Sequence, residues 1–130
     1  MRNLITVFLG VMFTGIVMAQ NEKTAEERAK LQTEKMTTEL SLTNDQKSKV
    51  YEINLGINQK NDGLKSSGLN DEEKKKALLH NNEARKEMIK AVLSPEQQVI
   101  MEKKLAERKE IRHQVKKEVR KEIKDNKKSE

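Results

Sequence analysis

The sequence contains no cysteine and no tryptophan, and it has only one tyrosine and two phenylalanines among its 130 residues. Without cysteine the chain can form no disulfide and offers no thiol to a catalyst or a lipid. Both phenylalanines precede residue 20, which leaves Tyr51 as the one aromatic residue of 20–130. This composition excludes a thick globular core. It predicts a thin or elongated all-α structure that is stabilised by self-association.

Charged residues make up 37% of the sequence, and the basic excess is confined to one end. Residues 20–100 carry 14 basic and 14 acidic side chains, whereas residues 101–130 carry 12 basic and 7 acidic ones. Disorder competes with folding in a chain of this charge content. Helix caps and apolar residues at helical spacing favour a folded helical structure over most of the length.

The first nineteen residues have the pattern of a secretory signal peptide. A short positive start precedes an almost wholly apolar run at 4–18, and Ala19 is followed by polar residues. We therefore expect cleavage after Ala19 and export of the chain. An uncleaved membrane anchor is the alternative, but the run is shorter than the ~20 residues that a spanning helix needs. We expect no stable insertion of the mature chain into a membrane.

Two five-residue motifs lie 51 positions apart: residues 42–46 read LTNDQ and residues 93–97 read LSPEQ. A Ser or Thr at an N-cap accepts a hydrogen bond from the backbone three residues on, and Gln at that third position bonds back to the cap. Each motif therefore predicts the start of a helix. The motif residues are Leu42, Thr43, Gln46, Leu93, Ser94 and Gln97.

Two looser versions of the same pattern begin at Thr24 and Asn70, which gives one N-terminal cap for each of four helices. The second helix should end near Gly63, where glycine can adopt the left-handed conformation. A short Gly/Ser loop then leads to the third helix, so these two helices should form a central antiparallel hairpin. The fourth helix contains no Gly or Pro after Pro95 and should run about 28 residues. We expect residues 125–130 to form a frayed basic tail.

The sequence shows no catalytic constellation, and we expect neither an enzyme nor a bound cofactor. Acidic residues alternate with lysine in the pattern of solvated helix faces. The only histidines are His80 and His113, and no other histidine lies four residues from either of them. Zinc usually takes three or four His, Cys or carboxylate ligands, so these two are weak candidates for a metal site shared across a dimer.

The fourth helix carries an apolar stripe with arginines in its middle. The candidate residues for binding unfolded proteins are Met101, Leu105, Arg108, Arg112 and Val115. The arginine stems could simply pack, with their charged ends reaching solvent. A mixed basic and apolar surface would instead attract acidic segments and hold apolar ones. The stripe has no aromatic residue to stack on bases, so we expect no nucleic-acid partner.

An exported, cysteine-free, highly charged helical chain with two L-[ST]-x-x-Q motifs resembles the Spy/CpxP family of periplasmic proteins. The resemblance covers residues 24–124, within a predicted helical domain of residues 20–124. It implies a thin, curved, intertwined homodimer with four helices per subunit, located in the periplasm. Ser94 replaces threonine in the second motif and preserves its capping chemistry.

The resemblance also implies an ATP-independent chaperone, or holdase, of the envelope stress response, whose partners are unfolded client proteins. Two alternatives remain open at this point. One is a regulatory adaptor that binds the periplasmic domain of a sensor kinase. The other is a zinc-responsive relative that uses His80 and His113.

Overall fold

The computed structural model of the protein describes residues 22–128, and within that range it consists of four α-helices and no strand. These are α1 (Ala25–Leu40), α2 (Asn44–Lys65), α3 (Asp71–Val92) and α4 (Pro95–Lys128). The predicted all-α class and the predicted number of helices are confirmed. The predicted signal peptide, residues 1–19, lies outside the described residues.

Every helix begins with a reciprocal capping box, as the sequence predicted. In each box the side chain of the cap residue accepts a hydrogen bond from the backbone N–H of the residue three positions on. The side chain of that residue in turn accepts a hydrogen bond from the backbone N–H of the cap residue. The pairs are Thr24 with Glu27, Thr43 with Gln46, Asn70 with Glu73, and Ser94 with Gln97. These contacts are local in sequence, so each helix start is defined within four residues.

Short side chains at a spacing of four residues bring α1 against α2. Ala25, Ala29 and Thr33 are all buried, and Ala29 is 0% exposed. Small residues at this spacing let the backbones of two helices approach closely. The packing of this face of α1 therefore depends on small residues instead of large aliphatic ones.

The α2 side of this interface is formed largely by amide side chains. Asn54 and Asn58 are buried, and their Nδ2 atoms donate to Thr33 Oγ1 and Gln32 Oε1, both at 3.0 Å. Asn54 Oδ1 has no hydrogen-bond partner among the described residues. An orphaned buried acceptor costs stability, so this interface tolerates a polar group where an aliphatic one would pack without penalty.

Along the contact between α2 and α3, residue numbers rise on α2 as they fall on α3. Asn81 Nδ2, in the middle of α3, donates at 2.8 Å to Asn61 Oδ1, about one turn before the end of α2. At the far end, Gln46 near the start of α2 meets Val92 at the end of α3. Between these ends a shallow groove is lined by the apolar residues Ile53, Ile57, Met88 and Val92 and by the charged residues Lys49, Glu52 and Lys60.

A small apolar cluster lies where the two motif loops meet. It consists of Leu40, Leu42, Val50, Ile89, Leu93 and Met101, which come from all four helices and both loops. Met36, Ile53 and Val92 pack against its edge. The cluster contains no aromatic residue, as the composition requires.

In the described part of the chain, the hydrogen bonds and ion pairs between α4 and the other helices lie along its first part. Lys90 Nζ bonds Glu102 Oε1 at 2.7 Å, and Gln98 Nε2 donates to the Lys90 carbonyl at 2.9 Å. Further on, Arg108 pairs with Glu39 of α1. Every residue from 109 to 128 is exposed. Beyond Arg108, α4 buries no residue in the described part of the chain.

Two helix ends differ from the sequence-based expectation. Helix α2 passes through Gly63 to Lys65, and no described glycine has a positive φ. Leu64 is half-buried there, and its packing offsets the ~1 kcal/mol that glycine costs in a helix. Helix α4 has 34 residues and continues to Lys128, with Lys127 and Lys128 placed favourably at the negative end of the helix dipole.

We predict that Ala29→Leu lowers the free energy of unfolding by about 1–3 kcal/mol, because the added methyl groups have no space between α1 and α2. Urea denaturation followed by circular dichroism measures this change. Ala106→Leu, at an exposed position of α4, is the matched control and should change stability by less than about 0.5 kcal/mol. Equal effects from the two substitutions would contradict close packing at Ala29.

The Lys90–Glu102 pair predicts a pH dependence at the α3–α4 junction. Its hydrogen bond, followed by its charge attraction, lowers the pKa of Glu102 and raises the pKa of Lys90. The contribution of Glu102 to stability is present above its unfolded pKa and is lost as pH falls through the lowered folded pKa. The contribution of Lys90 is present below its unfolded pKa and is lost as pH rises through the raised folded pKa.

Carbon NMR titration of the Glu102 carboxyl group checks this prediction. In Lys90→Met the pKa of Glu102 should rise toward its ordinary value, whereas the exposed control Lys75→Met should leave it unchanged. An unaltered Glu102 titration in Lys90→Met would show that the pair does not form in solution.

Candidate functional site

Both sequence motifs fold as capping boxes at the start of a helix. In the first, Gln46 Oε1 accepts from the Thr43 N–H at 3.0 Å, and Thr43 Oγ1 accepts from the Gln46 N–H at 3.2 Å. In the second, the corresponding distances between Ser94 and Gln97 are 2.9 Å and 3.2 Å. The predicted capping roles of the four residues are therefore confirmed.

The structure also brings the two motifs into direct contact, which the sequence did not predict. Gln46 Nε2 donates to Gln97 Oε1 at 2.7 Å, and Gln97 Nε2 donates to Gln46 Oε1 at 3.0 Å. The two side-chain amides thus form a reciprocal pair between residues 51 positions apart. We call this contact the glutamine pair.

Each glutamine also bonds the end of the helix that precedes the other motif. Gln46 Nε2 donates to the carbonyl of Val92, the last residue of α3, at 3.2 Å. Gln97 Nε2 donates to the carbonyl of Leu40, the last residue of α1, at 3.1 Å. Carbonyls at a helix end have no partner within the helix, so each glutamine satisfies one of them. The ends of α1 and α3 and the starts of α2 and α4 therefore meet at one point.

Only an amide can make this arrangement. A glutamine side chain accepts through Oε1 and donates through Nε2, whereas an ionised glutamate only accepts. The other two boxes use Glu27 and Glu73, whose recorded bonds stay within their own boxes. The choice of Gln in two boxes and Glu in the other two was the sequence signal that could have indicated the pair.

The leucine of each motif anchors the pair to the apolar cluster. Leu42 is 9% exposed and Leu93 is 6% exposed, and both belong to that cluster. The backbone at Ser41 adopts the left-handed conformation with φ 54°, which turns the chain between Leu40 and Leu42. All six motif residues therefore serve packing and capping at one junction.

The candidate client-binding residues fall into different environments. Met101 is only 7% exposed and packs in the apolar cluster, so in this structure its side chain is not available to a client. Arg108 Nη2 bonds both carboxylate oxygens of Glu39, at 2.5 and 2.6 Å. Leu105, Arg112 and Val115 are exposed. Three of the five candidates are therefore accessible to solvent, and none of the three forms a side-chain hydrogen bond or ion pair with a described residue.

The second half of α4 shows an apolar ridge, formed by four β-branched residues at a spacing of four. Ile111, Val115, Val119 and Ile123 are between 47% and 59% exposed. Residues at this spacing form one continuous row on a helix, of the kind that packs into a groove of another helix. The ridge has no apolar partner in the described part of the chain.

The histidines lie on separate helices, His80 on α3 and His113 on α4, and both are exposed. Residues 22–128 contain no group of three or more His, Asp or Glu side chains arranged to hold a metal ion. A zinc site that draws ligands from two subunits stays a prediction from the sequence.

None of the described helices is both long enough and apolar enough to cross a membrane. The long helix α4 carries charged residues throughout and has a low mean hydropathy.

A family model described as "Domain of unknown function (DUF4890)" matches residues 18–129 of the chain. No curated protein and no solved structure matches it.

We predict that Gln46→Glu lowers the free energy of unfolding by about 1–3 kcal/mol. A carboxylate still caps α2 but cannot donate to Gln97 Oε1 or to the Val92 carbonyl. The matched control is Glu27→Gln, which makes the converse change in a box without a partner motif and should alter stability by less than about 0.5 kcal/mol. Chemical denaturation measures both.

The double variant Gln46→Glu/Gln97→Glu separates capping from pairing. It places two carboxylates together, and their repulsion raises the pKa of at least one of them above the unfolded value. The double variant should therefore gain stability as pH falls through that raised pKa. Glu27→Gln/Glu73→Gln should show no such gain, and additive, pH-independent losses in the first double variant would contradict a direct glutamine pair.

Proposed function

The chain belongs to the DUF4890 family, and on that premise we propose that it is an ATP-independent holdase that binds unfolded proteins on the exposed part of α4. The family description names no activity, so the proposal rests on the geometry of α4. The observation that carries it is the apolar ridge, which lies exposed on a helix that is otherwise strongly charged.

The ridge and its neighbours combine two kinds of attraction. Four exposed β-branched residues offer apolar contact along the helix, and Leu105 extends this contact toward the body of the protein. Arg112 precedes Val115 by three residues, about one turn of the helix, so a cation borders the ridge. Such a surface suits unfolded segments that contain both apolar and acidic residues.

The proposal adds residues to the candidate client surface and removes others from it. Leu105, Arg112 and Val115 remain in the client surface, and Ile111, Val119 and Ile123 join them as members of the ridge. Met101 is left out because it is buried, and Arg108 is left out because it is paired with Glu39. The sequence contains no Gly-rich phosphate loop, which is consistent with binding that needs no nucleotide.

We also propose that the protein acts in the periplasm as a homodimer. The signal-peptide pattern of residues 1–19 and the likeness of the two motifs to those of Spy/CpxP proteins support this location. Along the contact between α2 and α3, residue numbers rise on α2 as they fall on α3, which supports the central antiparallel hairpin. The small size of the apolar cluster supports a thin, elongated or curved subunit. Association of two subunits would bury apolar area beyond what the small cluster of one chain provides.

The test is suppression of client aggregation. Residues 20–130, in several-fold molar excess, should reduce the light scattering of a chemically denatured client after dilution, with no nucleotide added. Val115→Asn/Val119→Asn should reduce this suppression at least about ten-fold in effective concentration, because two apolar contacts are lost. Leu79→Asn, at an equally exposed apolar position of α3, is the matched control and should suppress as the natural chain does.

Unchanged scattering at every concentration would overturn the holdase proposal. Affinity purification distinguishes the alternative. A single stoichiometric membrane partner, in place of many clients, would favour the sensor-kinase adaptor. Circular dichroism of every variant shows whether the helical fold is retained.

A further inference from the structure

A second surface of α4 carries a row of basic side chains, which we call the cationic arc. Its members share one side of the helix and line one shallow depression there: His113, Lys116, Lys117, Arg120, Lys121 and Lys124. At about 100° per residue these six positions fall within about 140° of the helix circumference. All six residues are exposed.

Between residues 113 and 125 the acidic side chains lie outside this arc, whereas Glu110, about one turn before His113, falls within its angular sector. Glu118, Glu122 and Asp125 project at about 40–100° from its nearer edge by the same helical geometry. In sequence the basic and acidic residues alternate, but on the helix they are separated. The centre of the cationic arc lies about 150° from the centre of the apolar ridge, so the two surfaces face nearly opposite directions.

Four basic residues elsewhere in the fold join different parts of the structure through ion pairs. Arg28, Lys65, Lys90 and Arg108 each pair with a carboxylate from another helix or from the segment before α1. No side chain of the arc forms an ion pair within residues 22–128. The arc is therefore a concentration of positive charge that the described fold does not neutralise.

We propose that the cationic arc docks α4 on the surface of an anionic lipid bilayer. Four of its six members are lysines, whose flexible point charges suit a field of many phosphates more than one fixed carboxylate. The arc extends about 16 Å along a regular helix, which presents its charges to a flat surface together. Basic helices of this kind are typical of membrane-surface association, and each nearby Lys or Arg adds to the attraction.

The position of the apolar ridge decides how the helix lies. With the arc toward the lipid phosphates, the ridge points away from the bilayer, so the helix adsorbs by charge without inserting apolar side chains. A client could then occupy the ridge while the arc is bound to lipid. This inference goes beyond the proposed holdase function and does not depend on it.

Vesicle flotation tests the proposal with residues 20–130, the expected mature chain, at neutral pH. One set of vesicles contains phosphatidylcholine mixed with phosphatidylglycerol, and the other contains phosphatidylcholine alone. The arc variant is Lys116→Gln/Lys117→Gln/Lys121→Gln/Lys124→Gln. The matched control, Lys30→Gln/Lys35→Gln/Lys75→Gln/Lys76→Gln, removes the same charge from exposed positions of α1 and α3. Every protein begins at residue 20, so the apolar segment of residues 1–19 does not contribute to vesicle binding.

We expect the arc variant to bind the anionic vesicles at least about ten-fold more weakly than the natural chain, while the control variant differs from it by less than about three-fold. Raising NaCl from about 0.15 M to about 1 M, which shortens the Debye length from about 8 Å to about 3 Å, should remove the difference. Val115→Asn/Val119→Asn should bind the vesicles as the natural chain does, which separates this result from failure of client binding.

Three results would overturn the proposal. Equal weakening by the arc and control variants would show that net charge, and not the arc, determines binding. Equal affinity of the natural chain for both kinds of vesicle would remove the anionic lipid as the ligand. Tighter binding of the arc to polyglutamate than to the anionic vesicles, at an equal concentration of negative charge, would assign the arc to acidic polypeptides instead.

Discussion

The reciprocal bonding of Gln46 and Gln97 is the constraint on which the arrangement of the four helices depends. Two primary amides face each other so that each donates once and accepts once across the contact. Their remaining donors bond the last carbonyls of α1 and α3, and their remaining acceptor capacity holds the caps of α2 and α4. These bonds therefore hold the two motif loops together, and the leucines of both motifs pack in the small apolar cluster. In a chain with so little apolar material, this polar junction supplies much of the specificity of the fold.

The same junction fixes the direction in which α4 leaves the other helices. Its first turns are held by the cap at Ser94, the burial of Met101 and the Lys90–Glu102 pair, and its contact with α1 ends at Arg108. Beyond that point the helix carries an apolar ridge on one side and a cationic arc on nearly the opposite side. A long helix held at one end can present two different surfaces to two different partners, and its rigidity keeps those surfaces apart.

The sequence predicted features that depend on residues close together in the chain, but it did not predict contacts between residues far apart in the chain. The four helix starts followed from caps that act over three residues, and the apolar stripe of α4 followed from apolar residues at helical spacing. The glutamine pair could not be predicted from either motif alone, because the contact joins residues 51 positions apart. Asn54 and Asn58 were missed for another reason: polar residues are usually exposed, and only the close approach of α1 buries them. Met101 was predicted to lie on a binding surface because apolar spacing along a helix does not indicate which residues of the stripe are buried.

The interface between α1 and α2 has a thermodynamic consequence. Much of it consists of alanine, threonine and hydrogen-bonded asparagine, so separating these helices exposes little hydrocarbon to water. Hydration of hydrocarbon is the main source of the positive heat-capacity change on unfolding, whereas exposed amides reduce it. The stability curve of this protein is therefore expected to be shallow, with a broad and weakly temperature-dependent maximum. A protein with such a curve changes its margin of stability only slightly when its surroundings warm or cool.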